Sequence, residues 1–583
     1  MRGRLLPALL LVACAALLYA RSLPAPFFFD DTISIVQNEH VRALWPLASA
    51  LGAPAQTPVA GRPLASLSFA LTYAIFGLDP RGWRAVNVAL HAGCALLLFG
   101  FARRALARVS ALAARADALA FAIAALWLVH PLATDAVAYV TQRTELLWSL
   151  CLLTALYAAE RGFERERADA SGRSWLALAL AAIWLGVGAK EVIVAAPPLL
   201  LLYDRAFASG SFAEAWRRHR ALHAGAFASW LGVAALVASG PRDATVGFDL
   251  PISAASYALT QLGVVAWYLR LAFWPAPLVI AHDWPVAQGP GDVWLGALVV
   301  LPLLAASLWA CVQRPQLGFL GAWFFAILAP TSSVVPIVSE IAAERRMYLP
   351  LAAVVAAMVL GADRLLRART RAARVALAGS AALALAAVTV LRLESFRSPP
   401  VLWAEVLAVY PQHRLSDQIE SEIAQQLVAQ GQLAEALPHF QRAAELRPDA
   451  KNLANLGRAQ LRQGAVDAAA VSLGRAAELA PDEAAIRADF GLVLARMSRW
   501  MEAEAELEQA LALDPENATA KKTLARVLVR RGEELVQTGE LQGAVPRFQR
   551  ATQLDPSFNA AQQDLVSTLM RLHNVKVETK PRL

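Results

Sequence analysis

Long apolar runs recur as far as residue 391 and constrain the fold more than any other feature of the sequence. Eleven segments stand out, although several are shorter than the roughly 20 residues that a perpendicular transmembrane helix needs. With 57% hydrophobic and 17% charged residues, the chain is more apolar than a soluble protein requires. The sequence therefore predicts an all-α, polytopic membrane domain over 1–391. The predicted spans lie near 5–20, 85–102, 118–134, 146–160, 174–189, 192–204, 221–239, 294–311, 317–330, 347–361 and 375–391.

Clusters of arginine indicate the orientation of these spans. Because cytoplasmic loops carry the excess of Lys and Arg, we place the clusters inside, which puts the N-terminus in the cytoplasm and the C-terminal region outside. This placement also accounts for the net charge of +8 without a nucleic-acid partner. Two further apolar segments, 64–78 and 256–274, are interpreted as interfacial or re-entrant helices on the outer side. The arginine clusters lie at 103–115, 161–173, 217–220 and 364–374.

A repeat begins where the apolar runs stop, near residue 417. Small residues, a large apolar residue, a turn position and a proline recur at matching offsets, which is the pattern of tetratricopeptide repeats. Small residues let two antiparallel helices approach closely, and the proline ends the second helix. The recurring positions are Ala436, Ala469, Ala503 and Ala544; Ala443, Ala476, Ala510 and Ala551; Phe440, Leu473, Leu507 and Phe548; Gly431, Gly464, Ser498 and Gly539; and Pro448, Pro481, Pro515 and Pro556.

The spacing of the four prolines is 33, 34 and 41 residues, so about seven extra residues precede the fourth repeat. We predict four repeats over 417–575, arranged as a solenoid, and a tail over 576–583. A linker over 392–416 would join the solenoid to the membrane domain. The concave face of such a solenoid commonly holds an extended peptide or a partner helix.

Two adjacent carboxylates, Asp30 and Asp31, follow the first apolar segment directly after three phenylalanines. Acids next to the hydrocarbon are costly unless they have a role. We interpret them as the mouth of an active site in the external loop 21–84, with either aspartate as a candidate base. The alternative is that they cap a helix beginning near Thr32.

Most other polar residues that interrupt the apolar sequence fall on the same predicted face. Carboxylates and fixed cations together can hold a phosphate and deprotonate a hydroxyl. The candidate phosphate ligands are Arg143, Lys190, Arg345 and Arg346. The other site candidates are Arg62, His91, His130, Asp135, Asp283, Glu191, Glu344 and Tyr348.

Several of these residues also have a purely structural interpretation, which the sequence leaves open. Arginine and lysine near carboxylates form ion pairs, and a lone histidine in an apolar helix is commonly a hydrogen-bonded core residue. The alternatives are an ion pair between Lys190 and Glu191, a salt-bridged clamp of Glu344 with Arg345 and Arg346, a core histidine at His91 and a span terminator at His130.

Six runs occur in order ahead of the repeats: FFFDDTISIVQNEHVR, GRPLASLSFALTYAIFG, VNVALHAGCALLLF, HPLATDAVAYVTQRTELL, KEVIVAAPPLLLLYD and ERRMYLPL. This series resembles the transmembrane and tetratricopeptide-repeat O-mannosyltransferases, which are similar to glycosyltransferases of the GT-C class. The resemblance implies a GT-C-type bundle, a polyprenyl-phosphate-linked sugar donor, a Ser/Thr hydroxyl acceptor and inversion at the anomeric carbon. It also implies an acidic base in the first external loop, which is Asp30 or Asp31. Ala133 departs from the pattern, because relatives often have histidine there.

We therefore predict a membrane glycosyltransferase that moves a sugar, such as mannose, to a Ser/Thr hydroxyl of an extracytoplasmic protein. The predicted location is the bacterial inner membrane, with the repeats outside and holding the acceptor polypeptide. We predict no metal ligands, because no close His/Asp/Glu set stands out, although enzymes of this class can use a divalent metal. The alternatives are a non-enzymatic, membrane-anchored scaffold and the same chemistry on a lipid or polysaccharide acceptor.

Overall fold

The computed structural model describes residues 2–54, 57–238, 252–333 and 335–578. Within these ranges the chain forms helices and no β-strand, which confirms the all-α prediction. The chain divides into two compact units, Met1–Tyr410 and Pro411–Leu583. The boundary between the units lies inside the predicted linker.

The first unit holds every predicted apolar segment, and each of these segments coincides with a helix. Short 3₁₀ and π-helical turns connect several of the longer helices. The α-helices are α1 Arg2–Tyr19, α2 Leu47–Leu51, α3 Pro63–Phe76, α4 Pro80–Ala107, α5 Ala116–Leu128, α6 Thr134–Ala138, α7 Arg143–Arg167, α8 Arg173–Val187, α9 Ala196–Asp204, α10 Phe212–Ala238, α11 Ala254–Phe273, α12 Trp294–Gln313, α13 Pro315–Leu328, α14 Leu351–Leu365, α15 Arg371–Ser395 and α16 Pro399–Val409.

Six helices of the described chain are long and apolar enough to cross a membrane. They are α1, α4, α10, α12, α15 and the segment Glu191–Ser209, which contains α9. A seventh span results if α5 and the residues up to Ala138, which are bent by 58°, count as one. The predicted eleven crossings exceed this count, because α7, α8, α13 and α14 are not among these helices. The predicted non-crossing segments, now α3 and α11, are not among them either.

Several of these long helices present leucines to the outside of the unit. Leu17 in α1, Leu231 in α10 and Leu383 in α15 have 77%, 74% and 74% of their surface exposed. Large apolar side chains on the outside are unfavourable in water but match the acyl chains of a bilayer. The exposure therefore agrees with an integral membrane protein.

The predicted linker over 392–416 is largely helical, and its residues up to Tyr410 belong to the first unit. The helix α16 packs back on the end of α15, where Glu405 accepts hydrogen bonds from Arg392 at 2.6 Å and from Ser395 at 2.5 Å. Trp403 of the same helix packs edge-on against Phe29, with ring centroids 5.2 Å apart. This helix thus contacts the loop that carries the two acids.

The second unit is a series of helix pairs, as the repeat pattern predicts. All eight alanines of the pattern are completely buried. The four turn positions adopt left-handed φ angles of 80°, 90°, 60° and 83°. The helices are α17 Ser416–Ala429, α18 Leu433–Leu446, α19 Ala450–Gln463, α20 Val466–Leu479, α21 Ala484–Arg496, α22 Trp500–Leu513, α23 Ala518–Gln537, α24 Leu541–Leu554 and α25 Asn559–Glu578.

Close approach of the two helices within a repeat depends on glycine in the first helix. A Cβ atom on Gly457 or Gly491 would lie 2.6 Å from the side chain of Leu473 or Leu507. Since real Cβ atoms do not approach other atoms so closely, the large apolar residue of the pattern fills the space that the missing side chain leaves.

The seven extra residues before the fourth repeat lengthen one helix and leave the packing unchanged. The helix α23 has 20 residues, whereas α19 has 14. Seven residues are about two turns of an α-helix, so the residues after the insertion return to the same face. Gly532 accordingly meets Phe548 just as Gly491 meets Leu507.

The turn at Ser498 provides a stability test, because it is the one turn position of the pattern without glycine, with φ of 60°. A left-handed φ is unfavourable for a residue with a Cβ atom. We expect Ser498→Gly to stabilise the α21–α22 pair by about 0.5–1 kcal/mol. Hydrogen exchange of peptides from this pair measures the change. The matched reverse variant, Gly464→Ser, should destabilise α19–α20 similarly, and equal protection in both variants would contradict the explanation.

Candidate active site

The loop that carries Asp30 and Asp31 is held against residues 139–141. The Asp30 N–H donates to the hydroxyl of Tyr139 at 3.0 Å. The N–H and the hydroxyl of Thr141 donate to Asp31 Oδ1, at 2.8 and 2.5 Å. The ring of Phe28 stacks on Tyr139 with centroids 4.8 Å apart. Tyr139 and Thr141, in the loop between α6 and α7, therefore fix the positions of both acids.

A buried arginine that the sequence analysis did not single out joins the same two loops. Arg84 donates from Nε to the carbonyl of Ala138 at 3.0 Å and from Nη2 to the carbonyl of Pro26 at 2.7 Å. Its Nη1 bonds to the carbonyl of Ala25. The side chain has no exposed surface, and its positive charge offsets that of Asp31. An arginine can do this because its planar fork offers five donors at once.

Arg143 has a structural position that does not fit the predicted phosphate contact. It is completely buried. Its nitrogens donate to Asn87 Oδ1 at 2.7 Å, to Thr72 Oγ1 at 2.7 Å and to the carbonyl of Trp83 at 3.0 Å. Asn87 in turn donates to the carbonyl of Val137 at 3.1 Å. Arg143 thus supports the loop between α6 and α7 through Asn87, and its donors are directed at protein acceptors, not at a ligand.

The two aspartates differ in what they can reach. Asp31 is completely buried, whereas Asp30 is partly exposed. Phe29, just before Asp30, has a left-handed φ of 49°, a conformation that costs free energy and is common at functional sites. Asp31 makes no side-chain cap bond to the helical turn at Thr32, so the capping alternative is wrong for it. Asp30 is therefore the acid available to a substrate.

Arg345 lies between two further acids beside Asp30. Its Nη1 is 3.4 Å from Asp135 Oδ2, and its Nη2 pairs with Glu340. The charges of Glu340 and Arg345 both act on the carboxyl of Asp30. Arg346 donates to the carbonyl of Ile341 at 3.1 Å. The predicted residues Asp30, Asp135 and Arg345 therefore belong to one cluster, which Glu340 completes.

Burial raises the pKa of Asp30 to about 7, against the opposing hydrogen bond with Tyr139. The negative charge of Glu340 contributes to this rise in pKa, and the positive charge of Arg345 opposes it. Burial alone would raise the pKa of Glu340, but Arg345 and Arg346 lower it below the usual range. At neutral pH Asp30 is thus poised between its two protonation states, which suits proton transfer.

Lys190 and Glu191 do not form the ion pair that the sequence analysis left open. Lys190 pairs with Glu145, whose other oxygen accepts from Trp148 Nε1 at 2.5 Å. Glu191 pairs with Arg62 at 3.1 Å. The charge of Lys190 still acts on the carboxyl of Glu340, so Lys190 lies near the cluster, whereas Arg62 and Glu191 form a separate contact.

Glu344 does not form a clamp with Arg345 and Arg346, so that alternative is wrong. Its Oε1 accepts from the N–H of Val279 at 2.6 Å and contacts His282 Nε2 at 2.9 Å. The neighbouring Asp283 is partly exposed. The loop that carries Arg345 is therefore braced through Glu344, while Arg345 itself faces the acids.

The remaining candidates occupy structural positions. His91 is completely buried and bonds through both ring nitrogens, to the hydroxyl of Tyr348 at 2.8 Å and to the carbonyl of Leu128 at 3.0 Å. His130 accepts a backbone N–H at the start of the 3₁₀ turn Pro131–Ala133. The core-histidine and span-terminator alternatives account for both histidines.

Sequence reasoning missed Arg84, Tyr139, Thr141 and Glu340. Arg84 carries the clearest signal, because an arginine at the end of an apolar segment that the sequence analysis places outside runs against the preference for arginine inside. Tyr139 and Thr141 lie in one of the six quoted runs but have no charge to draw attention.

A cavity of about 650 Å³ lies away from this cluster, between α4, α5, α13 and α14. Its lining is apolar apart from Arg314, Gln316 and Arg364. None of the acids described above lines it. The arrangement of carboxylates and arginines, rather than this cavity, locates the candidate site.

Comparison with a family model supports the repeats. The model described as "Tetratricopeptide repeat" matches residues 422–484 and 489–557. Both matches fall inside the predicted range of 417–575, so the presence of the repeats is confirmed.

Curated proteins of similar sequence are named protein O-mannosyl-transferases. Protein O-mannosyl-transferase TMTC1 of Homo sapiens is 26% identical over 514 residues, which are 77% of this chain and 56% of that protein. TMTC4 of Homo sapiens is 25% identical over 489 residues, with 73% and 64% covered. Tmtc2 of Drosophila melanogaster is 31% identical over 286 residues, with 46% and 29% covered. Over most of its length this chain is similar in sequence to proteins named protein O-mannosyl-transferases.

The family resemblance that the sequence predicts is thereby confirmed. The part of each of those three proteins that this chain matches is between 29% and 64% of its length. The crystal structure of ArnT from Cupriavidus metallidurans bound to undecaprenyl phosphate aligns with 82% of this chain and 80% of ArnT, at 17% identity and a TM-score of 0.40. A score this low carries no conclusion.

The buried guanidinium of Arg84 provides a test of how the two loops are held together. We expect Arg84→Met to lower the free energy of unfolding by about 3–5 kcal/mol, because Asp31 and three carbonyls lose a buried partner. Thermal unfolding of the detergent-purified protein measures the loss. Arg81→Met, an exposed position in the first turn of the same helix, is the control. Equal melting temperatures for both variants would contradict the assigned role.

Proposed function

We propose that this protein is a membrane glycosyltransferase that moves a sugar from a polyprenyl-phosphate donor to a Ser/Thr hydroxyl of an extracytoplasmic protein. The observation that carries the proposal is the partly exposed Asp30, with a pKa of about 7, beside an arginine shared by Asp135 and Glu340. The relatives are named protein O-mannosyl-transferases, which indicates sugar transfer to a protein hydroxyl, and mannose is accordingly the first sugar to test.

Asp30 is the proposed general base. The acceptor hydroxyl oxygen attacks the anomeric carbon while its proton passes to a carboxylate oxygen of Asp30. The bond between the anomeric carbon and the phosphate oxygen breaks, and its electron pair leaves with the phosphate. A single displacement of this kind inverts the anomeric centre. Asp31, buried and bonded to Thr141, positions the loop and does not touch the acceptor.

Arg345 is the proposed partner of the departing phosphate, assisted by Lys190 and Arg346. A guanidinium fork matches two phosphate oxygens and stabilises the charge that develops on the leaving group. Because Arg345 pairs with Glu340 and Asp135 in the structure, the donor phosphate must replace at least one of these carboxylates. The donor thus rearranges the ion pairs around Asp30 as it binds.

The proposed location is the bacterial inner membrane, with the N-terminus in the cytoplasm and Asp30 on the outer side. The repeats are then extracytoplasmic and hold the acceptor polypeptide, which raises its local concentration. Transfer assays on the purified protein test this directly, with radiolabelled polyprenyl-phosphate sugars and either periplasmic proteins or lipids as acceptors. If the label appears only in lipid, the acceptor is a lipid and not a protein. If no donor supports transfer, the non-enzymatic, membrane-anchored scaffold is favoured.

Removal of the Asp30 carboxylate should abolish transfer without unfolding the protein. We expect Asp30→Asn to lower kcat by about 100-fold or more, which is the usual contribution of a general base. Glu39→Gln, an exposed carboxylate in the same loop, is the matched control and should retain activity. Full activity of Asp30→Asn would rule out the assigned base.

The pH dependence of transfer gives an independent check on Asp30. Only the carboxylate form accepts a proton, and the pKa of Asp30 is raised to about 7. We expect kcat to fall by about tenfold per pH unit below this value and to level off above it. A rate that stays constant from pH 5 to pH 8, a window chosen around that pKa, would contradict the assignment.

The donor contact of Arg345 can be separated from its charge. Arg345→Lys keeps the positive charge but loses the fork, and we expect kcat/KM for the donor to fall by about 10- to 100-fold. Arg397→Lys is the control, because Arg397 pairs with Glu394 on the surface. If the Arg345 variant loses only affinity for the acceptor, the proposed phosphate contact is wrong.

A further inference from the structure

A second cluster of ionisable side chains lies apart from Asp30, where α7, α9 and α10 end or begin. Asp204 is the last residue of α9, and His219 and His223 belong to α10. Asp204 and His223 have no exposed surface, and His219 has 7%. Sequence analysis predicted no close set of this kind, because the three residues span a turn that the sequence does not reveal.

All three residues direct a ligand-type atom at one point. Asp204 Oδ2 lies 2.6 Å from His219 Nδ1 and 2.8 Å from His223 Nε2. These atoms lie within 4.8 Å of one another. His219 and His223 lie four residues apart and so share one face of α10. The backbone of α10 departs from helical geometry at His219, within the cluster itself.

A second carboxylate fixes how His219 is used. Its Nε2 lies 2.9 Å from Glu166 Oε2, and a carboxylate only accepts, so Nε2 carries a hydrogen. In the neutral ring Nδ1 then bears a lone pair that faces another carboxylate oxygen at 2.6 Å. Either His219 carries a second proton on Nδ1, or a metal cation takes the place of that proton between Nδ1 and Asp204 Oδ2. An imidazole that donates one nitrogen to a carboxylate and gives the other to a metal is the usual arrangement in protein metal sites.

We propose that Asp204, His219 and His223 bind a divalent transition metal of the zinc class, with Glu166 as the hydrogen-bond partner that orients His219. Two imidazoles and one carboxylate suit zinc, whereas calcium and magnesium prefer all-oxygen sets. Tetrahedral zinc keeps such ligand atoms about 3.4 Å apart, so metal binding moves Asp204 Oδ2 away from the two histidine nitrogens, which now lie at 2.6 and 2.8 Å. The metal ties the end of α9 to α10 and is separate from the proposed transfer site.

Serine at residue 209 supports this assignment from the other side of the carboxylate. Its hydroxyl donates to Asp204 Oδ1 at 2.6 Å, which leaves Oδ2 as the oxygen shared by the histidines. His223 Nδ1 has no hydrogen-bond partner within the described part of the chain. The contact at Nε2 is therefore the polar interaction for which this ring is oriented.

Metal analysis of the detergent-purified full-length chain tests the proposal. After incubation with Zn²⁺ and removal of the excess, we expect about one equivalent of zinc per chain. Co²⁺ in place of Zn²⁺ should give the strong visible absorption of a tetrahedral nitrogen–oxygen site. The His223→Gln variant should lose most of the bound metal. His439→Gln is the matched control, because His439 pairs with Glu420 in the second unit and should not change the metal content.

The Co²⁺ spectrum of the unmodified chain keeps the test decisive if a variant fails to fold. Zn²⁺ should also raise the melting temperature of the unmodified protein, and EDTA should reverse the increase. If the unmodified chain binds neither metal, a proton bridges Asp204 and His219 and the proposal is overturned. These outcomes do not depend on transferase activity, so the proposal stands or falls independently of Asp30.

Discussion

The buried guanidinium of Arg84 is the interaction on which the candidate active site depends. It bonds to carbonyls of two loops that are 59 and 54 residues away along the chain, and its charge balances a carboxylate with no access to water. A buried charge is tolerated only when it is paired and hydrogen-bonded. Arg143 and Asn87 form a second layer below the same loop. The position of Asp30 thus depends on buried polar contacts, and removal of any one partner leaves another buried polar group without a bond.

The acids around Arg345 show how one cation can organise several negative charges. Asp135 and Glu340 share this guanidinium, and the partly exposed Asp30 beside them keeps a proton to about neutral pH. Desolvation and like charge raise the pKa of a carboxyl, whereas a nearby cation lowers it. Because burial raises the pKa of Asp30 to about 7, close to neutral pH, a ligand that shifts Arg345 changes the protonation of the acid. Substrate binding and base strength are then linked through one side chain.

The repeats could be predicted from the sequence almost to the residue, because a solenoid is built from contacts between neighbours in the chain. Ala436, Phe440 and Gly431 have their predicted roles for this reason. The pairings of the candidate site could not be predicted. Asp31 meets Thr141 across 110 residues, and Arg345 meets Asp135 across 210. The arginine clusters predicted that these side chains lie on the same side of the membrane. Only the packing of the helices decides that Lys190 pairs with Glu145 and that Glu344 faces His282.

The long helix α23 has a consequence for how such an array can vary. Its additional residues add about 10 Å of helix, and the first turns of this helix are packed into the repeat, since Ala520 and Leu524 are completely buried. Length changes that are not whole turns would rotate Gly532 away from Phe548 and open the seam. A helix of this array can therefore lengthen only by whole turns if glycine is to keep its contact with the large apolar residue of the next helix.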